Sequence, residues 1–287
     1  MPVYNGEKYI RDALDSLLNQ TFSDFELIIS DNASTDRTEE ICVEYTSRDS
    51  RISYFRQSEN NGAITNFQFV LDQARGEFFM WAAYDDLWSD DFIENAVGSL
   101  KKLNVDFVFP SFELRSIKLG YAKKFNLDIF KFIESENRRV RVLSFCNLHY
   151  LSLSVNIVYS LFRVDFLKKI LSIQGIVNEG ALGATILSYG RGALNKGLFS
   201  KQYQLVWPGM FPSYIRFIKG RLNKKNVMVE AQQAIKASRI NLIKNFPEYL
   251  NELNYIYDNY HPSRHDKYYR ICIINKVLEL TNLNVSK

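Results

Sequence analysis

Phe78-Phe79-Met80-Trp81-Ala82-Ala83-Tyr84-Asp85-Asp86-Leu87-Trp88 is an apolar run, opened by Arg75-Gly76, that ends in two adjacent carboxylates ahead of the helix start Ser89-Asp90-Asp91. A continuous apolar run bounded in this way suits a strand covered on both faces, Phe78 to Ala83. Asp85 and Asp86 then fall where the strand gives way to a loop, the place at which open α/β sheets bind ligands. Two readings of the pair stand side by side: a metal-nucleotide site, or an acidic turn in which Asp90 caps the next helix.

Upstream of this run the pattern repeats. Met1-Pro2-Val3-Tyr4-Asn5-Gly6 reads as a strand end and turn, with Asn5 available to cap a helix over Glu7 to Asn19, where Ile10, Leu14, Leu17 and Leu18 form one apolar face. Phe25 to Ser30 is β-leaning and runs into Asp31-Asn32-Ala33-Ser34-Thr35-Asp36, a loop rich in turn and capping residues that opens a helix from Arg37 to Thr46. Arg51 to Phe55 is a third strand and Asn60-Asn61-Gly62 its turn; Ile64, Phe67, Leu71 and Ala74 then line one helical face. The order β-α-β-α-β-α-β predicts an α/β fold, a parallel sheet with helices on its faces. Three strand ends, Pro2 to Asn5, Asp31 to Asp36 and Asp85-Asp86, thereby become candidates for one site. Carboxylates at two of them share an explanation, since a hard cation bridging phosphates takes oxygen ligands and supplies the charge that carboxylates would otherwise repel.

Downstream, a helix is expected over Asp91 to Leu103 and a strand over Asp106 to Pro110. Residues 111–150 show no clear period, residues 151–162 suit strand or helix equally, and Val164 to Ile173 reads as a short helix. Leu182, Ile186 and Leu187 give another helical pattern near Gly190 and Gly192, and amphipathic stretches follow at Val227 to Asn245 and Lys267 to Leu280.

Composition bounds the function. The chain has 287 residues, 46% of them hydrophobic and 14% aromatic, enough for a substantial core. Its net charge of +4 is too slight and too dispersed for a nucleic-acid footprint, except that Lys196, Lys201, Arg216, Lys219, Arg221, Lys224 and Lys225 fall in a stretch without acids. That segment is either a solvated face or a surface that meets phosphates or lipid head groups. Cys42, Cys146 and Cys272 are isolated, which suits a reduced, cytoplasmic protein. The longest apolar run, Leu151 to Phe162, is interrupted by Ser152, Ser154 and Asn156, so membrane association is expected to be peripheral. His149, His261 and His265 are scattered, against a histidine metal site. Neither G-x-G-x-x-G after the first strand nor G-x-x-x-x-G-K-S/T occurs, against a dinucleotide dehydrogenase and a P-loop enzyme.

The succession Pro2-Val3-Tyr4-Asn5, Asp31-Asn32-Ala33-Ser34-Thr35-Asp36, Asn60-Asn61-Gly62 with Asn66, and Gly76-Glu77 with Asp85-Asp86 resembles the family 2 glycosyltransferases of the GT-A fold. That resemblance implies a Rossmann-like, mainly parallel sheet flanked by helices, with a GT-A domain over 1–215 and a helical C-terminal extension over 216–287. Within the domain, 1–110 would bind the nucleotide sugar and 111–215 the acceptor. It also implies transfer of a sugar, with inversion, from a nucleotide-diphospho-sugar to an acceptor hydroxyl, with Mg²⁺ or Mn²⁺. The family's common bacterial setting is cell-surface polysaccharide or glycolipid synthesis on a lipid-linked or saccharide acceptor at the inner membrane face.

Carried over by motif, Pro2 and Tyr4 would lie against the nucleobase, Asp31 would hydrogen-bond it, Asn66 would sit near the donor, Asp85 beside the ribose or diphosphate, and Asp86 on the metal. Glu179, in Val177-Asn178-Glu179-Gly180, is the candidate base; the other reading is a glutamate favoured at a helix start by the dipole. Two departures from the family stand out. Ala83 occupies the position of the first acid of a D-x-D-D run, and the chain begins at the last residues of the expected first strand, which implies a sheet lacking most of that strand or a true start upstream. The competing readings are a catalytically inactive carbohydrate- or nucleotide-binding protein and a sugar nucleotidyltransferase; the latter is disfavoured by the lack of a Gly-rich, basic phosphate loop.

Overall fold

A computed structural model describes residues 1–116, 121–124, 127–149, 154–174 and 179–202. Its first sheet is built from β1 (Pro2–Val3), β2 (Leu27–Asp31) and β3 (Ile52–Arg56), all parallel and in that spatial order. The connecting helices are α1 (Ile10–Leu18) between β1 and β2, and α2 (Thr38–Arg48) between β2 and β3. All five residues of β2 are buried, as its position between two neighbours requires. On α1 the buried residues are Ile10, Ala13, Leu14 and Leu17, the stripe that the 3.6-residue period marks out.

The register aligns the strand ends. Val3 lies opposite Asp31 and Asp31 opposite Arg56, so the carboxyl ends of three adjacent strands carry the Val3-Tyr4 step, an acid and an arginine. Beyond β3, α3 (Gly62–Asp72) starts at Gly62 with φ 82°, a left-handed conformation that glycine adopts at no steric cost. Its buried residues are Asn66, Val70 and Leu71, whereas Ile64 is more than half exposed. The expected Ile64-Phe67-Leu71-Ala74 face is thus rotated, because the helix turns a polar residue, Asn66, onto the sheet to bond with it.

The run that decided the fold behaves differently from expectation. Only β4 (Phe78–Phe79) is strand, and it pairs antiparallel with β8 (Leu161–Arg163) instead of extending the parallel set. Met80 to Ala83 make no ladder, yet Trp81 is buried, its indole N–H donating to the Phe67 carbonyl at 3.0 Å and its ring edge-on to Phe79. Tyr84 and Asp85 form a turn, and Asp86 opens a further strand, β5 (Asp86–Trp88), so Asp86 sits on a strand and not in a loop.

The second sheet is mixed. Its order is β4, β8, β6 (Phe107–Ser116), β9 (Gly192–Gln202) and β5, with β7 (Tyr121–Lys124) paired to β6. Among the described residues only its β6–β9 pair is parallel, so the parallel sheet expected for the whole fold is confined to β1–β3 and this pair. Helix α4 (Phe92–Leu103) buries Phe92, Ile93, Ala96, Val97 and Leu100, and α6 (Val164–Gln174) follows β8 directly. Residues 154–162, readable as either element, form a 3₁₀ turn (Ser154–Tyr159) and then the start of β8. The glycines of Gly190-Arg191-Gly192 are packing requirements: a Cβ at Gly190 would stand 2.3 Å from Phe166 Cζ and one at Gly192 would stand 2.4 Å from Phe107 Cε2.

Residues 1–134, 156–177 and 190–203 make one compact unit, which holds both sheets. The described helices of a second unit are α5 (Arg138–His149) and α7 (Glu179–Tyr189), tied together by Arg141 Nε donating to the Leu187 carbonyl at 2.8 Å and Arg138 Nε to Ser188 Oγ at 2.7 Å. The expected helices at Val227 to Asn245 and Lys267 to Leu280, and with them the C-terminal extension, lie outside the described residues, as do Arg216, Lys219, Arg221, Lys224 and Lys225. No helix among the described residues is long and apolar enough to cross a membrane.

Candidate functional site

The loop after β1 and the loop after β2 are clasped by reciprocal bonds. Asn5 N–H donates to Ser34 Oγ (2.9 Å), Gly6 N–H to Thr38 Oγ1 (2.7 Å) and Glu7 N–H to Asp36 Oδ2 (3.1 Å). In the other direction Thr35 N–H donates to Asn5 Oδ1 (2.9 Å) and Arg37 N–H to Glu7 Oε2 (2.8 Å). Asn5 is therefore not the cap of α1. It takes a left-handed conformation, φ 52°, and spends its side chain on the neighbouring loop, while Tyr9 holds the N-cap position without a side-chain bond.

Asp31 ends β2 with no exposed surface. Its Oδ1 accepts Ser34 N–H at 2.8 Å, closing a turn, and its Oδ2 accepts the Tyr54 hydroxyl at 2.9 Å and Arg56 Nη1–H at 2.8 Å. Burial, and then the bond to the Asp31 carboxylate, push the Tyr54 phenol well above its ordinary value, so it stays a donor at any physiological pH. Sequence reading missed Tyr54 and Arg56, although a parallel register with Asp31 opposite Arg56 places both on one face of β3.

The Asp85-Asp86 segment joins this centre through Tyr84. A Cβ at Gly6 would stand 2.7 Å from Val3 Cγ2 and 2.8 Å from Tyr84 Cδ2, so the Tyr84 ring lies directly on the β1 turn. Burial first, then the charges of Asp85 and Asp36, push the Tyr84 phenol up to about 12. From the other side Gln20, itself buried, clamps α1 to the β5–α4 connection: Nε2 donates to Ser16 O (3.0 Å) and Ser89 O (2.7 Å), and Oε1 accepts Ile93 N–H (2.9 Å). Asp86 is buried, with its N–H directed at Ala83 O (3.4 Å), and Asp85 is half-buried.

The remaining sequence candidates divide. Tyr4 is 42% exposed at the rim, open to a stacking partner, whereas Pro2 is buried within β1 opposite Ser30. Asn66 is buried, and its amide bonds to β1 and β2: Nδ2 donates to Ser30 O (2.9 Å) and to Val3 O (3.5 Å), and Oδ1 accepts Ser30 Oγ–H (2.6 Å). Glu179 is the first residue of α7, in the second unit. Among the described residues no three His, Cys, Asp or Glu gather into a metal cage. The oxygen-only pair Asp85-Asp86 fits a cation of the Mg²⁺ kind, held by one or two carboxylates with phosphate oxygens filling the rest of its shell.

With this geometry in hand, comparison with known proteins is decisive. The model of glycosyl transferase family 2 matches residues 1–170. The chain belongs to that family. It is 38% identical over 116 residues to an uncharacterised glycosyltransferase of Rickettsia typhi, covering 40% of this chain and 35% of the relative. It is 33% identical over 113 residues to TuaG, a Bacillus subtilis glycosyltransferase assigned to teichuronic acid biosynthesis, covering 39% and 45%. The matched segment thus spans less than half the length of either curated relative. The same fold occurs in S. aureus TarS 1-349 in complex with UDP-GlcNAc (TM-score 0.59, 15% identity, 97% of this chain and 79% of that one). It recurs in GalNAc-T7 with UDP, GalNAc and Mn²⁺ (TM-score 0.56, 10% identity, 98% and 54%). This family 2 chain accordingly has the GT-A fold that its motifs imply.

Proposed function

We propose that this chain transfers a sugar, with inversion, from a nucleotide-diphospho-sugar to an acceptor hydroxyl in cell-surface polysaccharide or glycolipid synthesis. The observation that carries the reading is the packing of Tyr84 on Gly6, which brings the Asp85-Asp86 segment to the clasped loops after β1 and β2. Tyr4 offers an exposed ring to the base, Asp85 stands beside the ribose or diphosphate, and Asp86 holds the cation. Asn66 acts at one remove, fixing the strand ends that present these groups. When bound, Mg²⁺ or Mn²⁺ supplies the positive charge that offsets charge developing on the leaving diphosphate. The ligands in the TarS and GalNAc-T7 structures, UDP-GlcNAc in one and UDP, GalNAc and Mn²⁺ in the other, support this donor and cation class.

Glu179 is the proposed base. It opens α7, and an ionised carboxylate in that role would accept the proton of an attacking hydroxyl. The teichuronic acid assignment of TuaG supports a cell-wall or surface-polymer acceptor. A lipid-linked acceptor would place the enzyme in peripheral contact with the inner membrane face.

The test is incubation with a panel of nucleotide sugars and Mg²⁺ or Mn²⁺, reading nucleoside diphosphate release. Release is expected for at least one donor, with a fall of roughly a hundredfold or more in Asp86→Ala and in Glu179→Gln. Donor binding without release, across the panel and with acceptor extracts added, would leave the non-catalytic binding reading in its place.

A further inference from the structure

An asparagine followed by glycine has a chemistry of its own: with no Cβ in the way, the glycine main-chain nitrogen can reach the asparagine side-chain carbonyl carbon. The chain has two such steps, Asn5-Gly6 and Asn61-Gly62, and the fold treats them in opposite ways. We propose that Asn61 is a site of spontaneous deamidation in the folded protein and that the fold protects Asn5 from the same reaction.

At Asn5 both reacting groups are held. Gly6 N–H, whose nitrogen would attack, donates to Thr38 Oγ1 at 2.7 Å in a buried place, and Asn5 Oδ1 accepts Thr35 N–H at 2.9 Å. Gly6 is also packed, with Val3 and Tyr84 less than 3 Å from where a Cβ would stand. Turning the peptide there means opening the clasp between the first two loops.

At Asn61 the same groups are loosely held. Residues 58–65 are exposed without a break, and a Cβ built on Gly62 would meet nothing within 4 Å. The Asn61 carboxamide makes one hydrogen bond among the described residues, Nδ2 to the Glu59 carbonyl, and at 3.4 Å it is long. Gly62 N–H donates to Asn60 Oδ1 at 3.0 Å, in an exposed place where water can replace the acceptor. Asn61 has ψ 13°, so its peptide must swing before the Gly62 nitrogen faces Cγ. Gly62 opens α3 at φ 82°; the first turn of a helix frays readily, and glycine supplies the freedom that the swing requires.

The steps balance with water as the co-reactant. The Gly62 nitrogen gives up its proton and bonds to Asn61 Cγ; the Cγ–Nδ2 bond breaks, and ammonia leaves with a proton regained from solvent, closing a succinimide ring. Water then adds at either ring carbonyl. Opening at Cγ leaves an aspartate, and opening at the main-chain carbonyl leaves an isoaspartate, in which the main chain runs through the former side chain. Both products carry a new negative charge.

The consequence falls on a stitch between loops. Asn61 N–H donates to Asn32 Oδ1 at 3.1 Å, and Asn32, itself buried, directly follows Asp31. An aspartate keeps that stitch and is favoured at a helix start by the dipole. An isoaspartate lengthens the main chain by a methylene between the stitch and α3.

The experiment is incubation of the full chain in mildly alkaline buffer, folded and in urea. Tryptic digestion at mildly acidic pH follows, with fragment-ion mass spectrometry of the peptides Met1–Lys8 and Gln57–Arg75. Conversion exchanges an amino group for a hydroxyl, and the fragment series assigns it to Asn5, Asn60, Asn61 or Asn66. In the folded protein Asn61 is expected to convert roughly tenfold or more faster than Asn5, and in urea the two rates should agree within about threefold. Gly62→Ala, which sets a methyl beside the attacking nitrogen, should slow Asn61 roughly tenfold in both conditions. An Asn61 as slow as Asn5 in the folded protein, or conversion confined to the other asparagines, overturns the proposal. So does an Asn61 that converts at the wild-type rate in Gly62→Ala, because the Gly62 nitrogen would then not be the attacking group.

Discussion

Asn66 and Ser30 are joined twice: the Asn66 amide donates to the Ser30 carbonyl at 2.9 Å while its oxygen accepts the Ser30 hydroxyl at 2.6 Å. A helix is thereby pinned to the strand whose next residue is Asp31. Asn66→Ala removes both bonds and leaves the Ser30 carbonyl short of a donor in a buried place. A loss of roughly 1–3 kcal/mol in urea denaturation is expected, together with a raised KM for the donor. Asn66→Asp should be worse, because it sets a carboxylate oxygen against the Ser30 and Val3 carbonyls. Equal stability of Asn66→Asp and wild type at neutral pH would refute the pincer.

Gly6 is the contact point between the β1 turn and Tyr84. Gly6→Ala drives a methyl into Val3 and Tyr84 at under 3 Å, so the turn or the ring must move. A destabilisation of about 1–3 kcal/mol is expected. Tyr84→Ala removes one of the two obstacles, so the double variant Gly6→Ala/Tyr84→Ala should be less destabilised than the sum of the singles. Strict additivity in chemical denaturation would show that the ring does not bear on Gly6.

Ala33, in the loop after β2, has φ 59°, a left-handed conformation that costs a residue with a Cβ roughly 1–2 kcal/mol. Ala33→Gly relieves that cost but gives back part of it through the more flexible unfolded chain. The expected result is unchanged or slightly raised stability, by up to about 1 kcal/mol, whereas Ala33→Val, β-branched, should lower the melting temperature clearly. A Val variant as stable as wild type would mean that the loop does not hold this conformation in solution.

What the sequence made legible followed from local rules. The apolar period of α1, the breaker-rich loops after β2 and β3 and the alternation of strands with helices are short-range signals, and the structure reproduces them within a few residues. The first two strand ends lie side by side, with Val3 opposite Asp31, and Tyr84 packs on Gly6 beside them. Contacts fixed by distant partners were not legible. Nothing near Phe78 shows that β4 will pair with Leu161–Arg163, more than eighty positions on, nor that the second sheet will be mixed. Asn66 was placed near the donor by motif alone; its bonds to Ser30 and Val3, which tie α3 to β1 and β2, had no sequence signal. Asp31 was found by motif, but its saturation by Tyr54 and Arg56 depends on a register that only the paired strands display. Nothing around Gly190 and Gly192 shows that Phe166 and Phe107 will fill the space where a side chain would go.

The clasp between the first two loops should be acid-labile. Burial alone would raise the Asp36 carboxyl, but the Thr38 hydroxyl and the backbone N–H groups of Glu7 and Thr38 all donate to it and outweigh burial, holding it below the ordinary carboxylate range. A depressed carboxylate contributes stability that is fully present above its unfolded value, near 3.9 for an aspartate, and that is lost as the pH falls through the lower folded value. Asp36→Asn lacks this titration and keeps one acceptor, so it should melt below wild type at pH 7 and pH 5 by similar margins. The margin should shrink only once the pH drops below about 4. Melting curves of both proteins across that range check it. The sign is fixed by the direction of the shift: a margin that grew on acidification, or one that stayed constant through it, would mean that the charged form of Asp36 is not what joins Glu7 to Thr38.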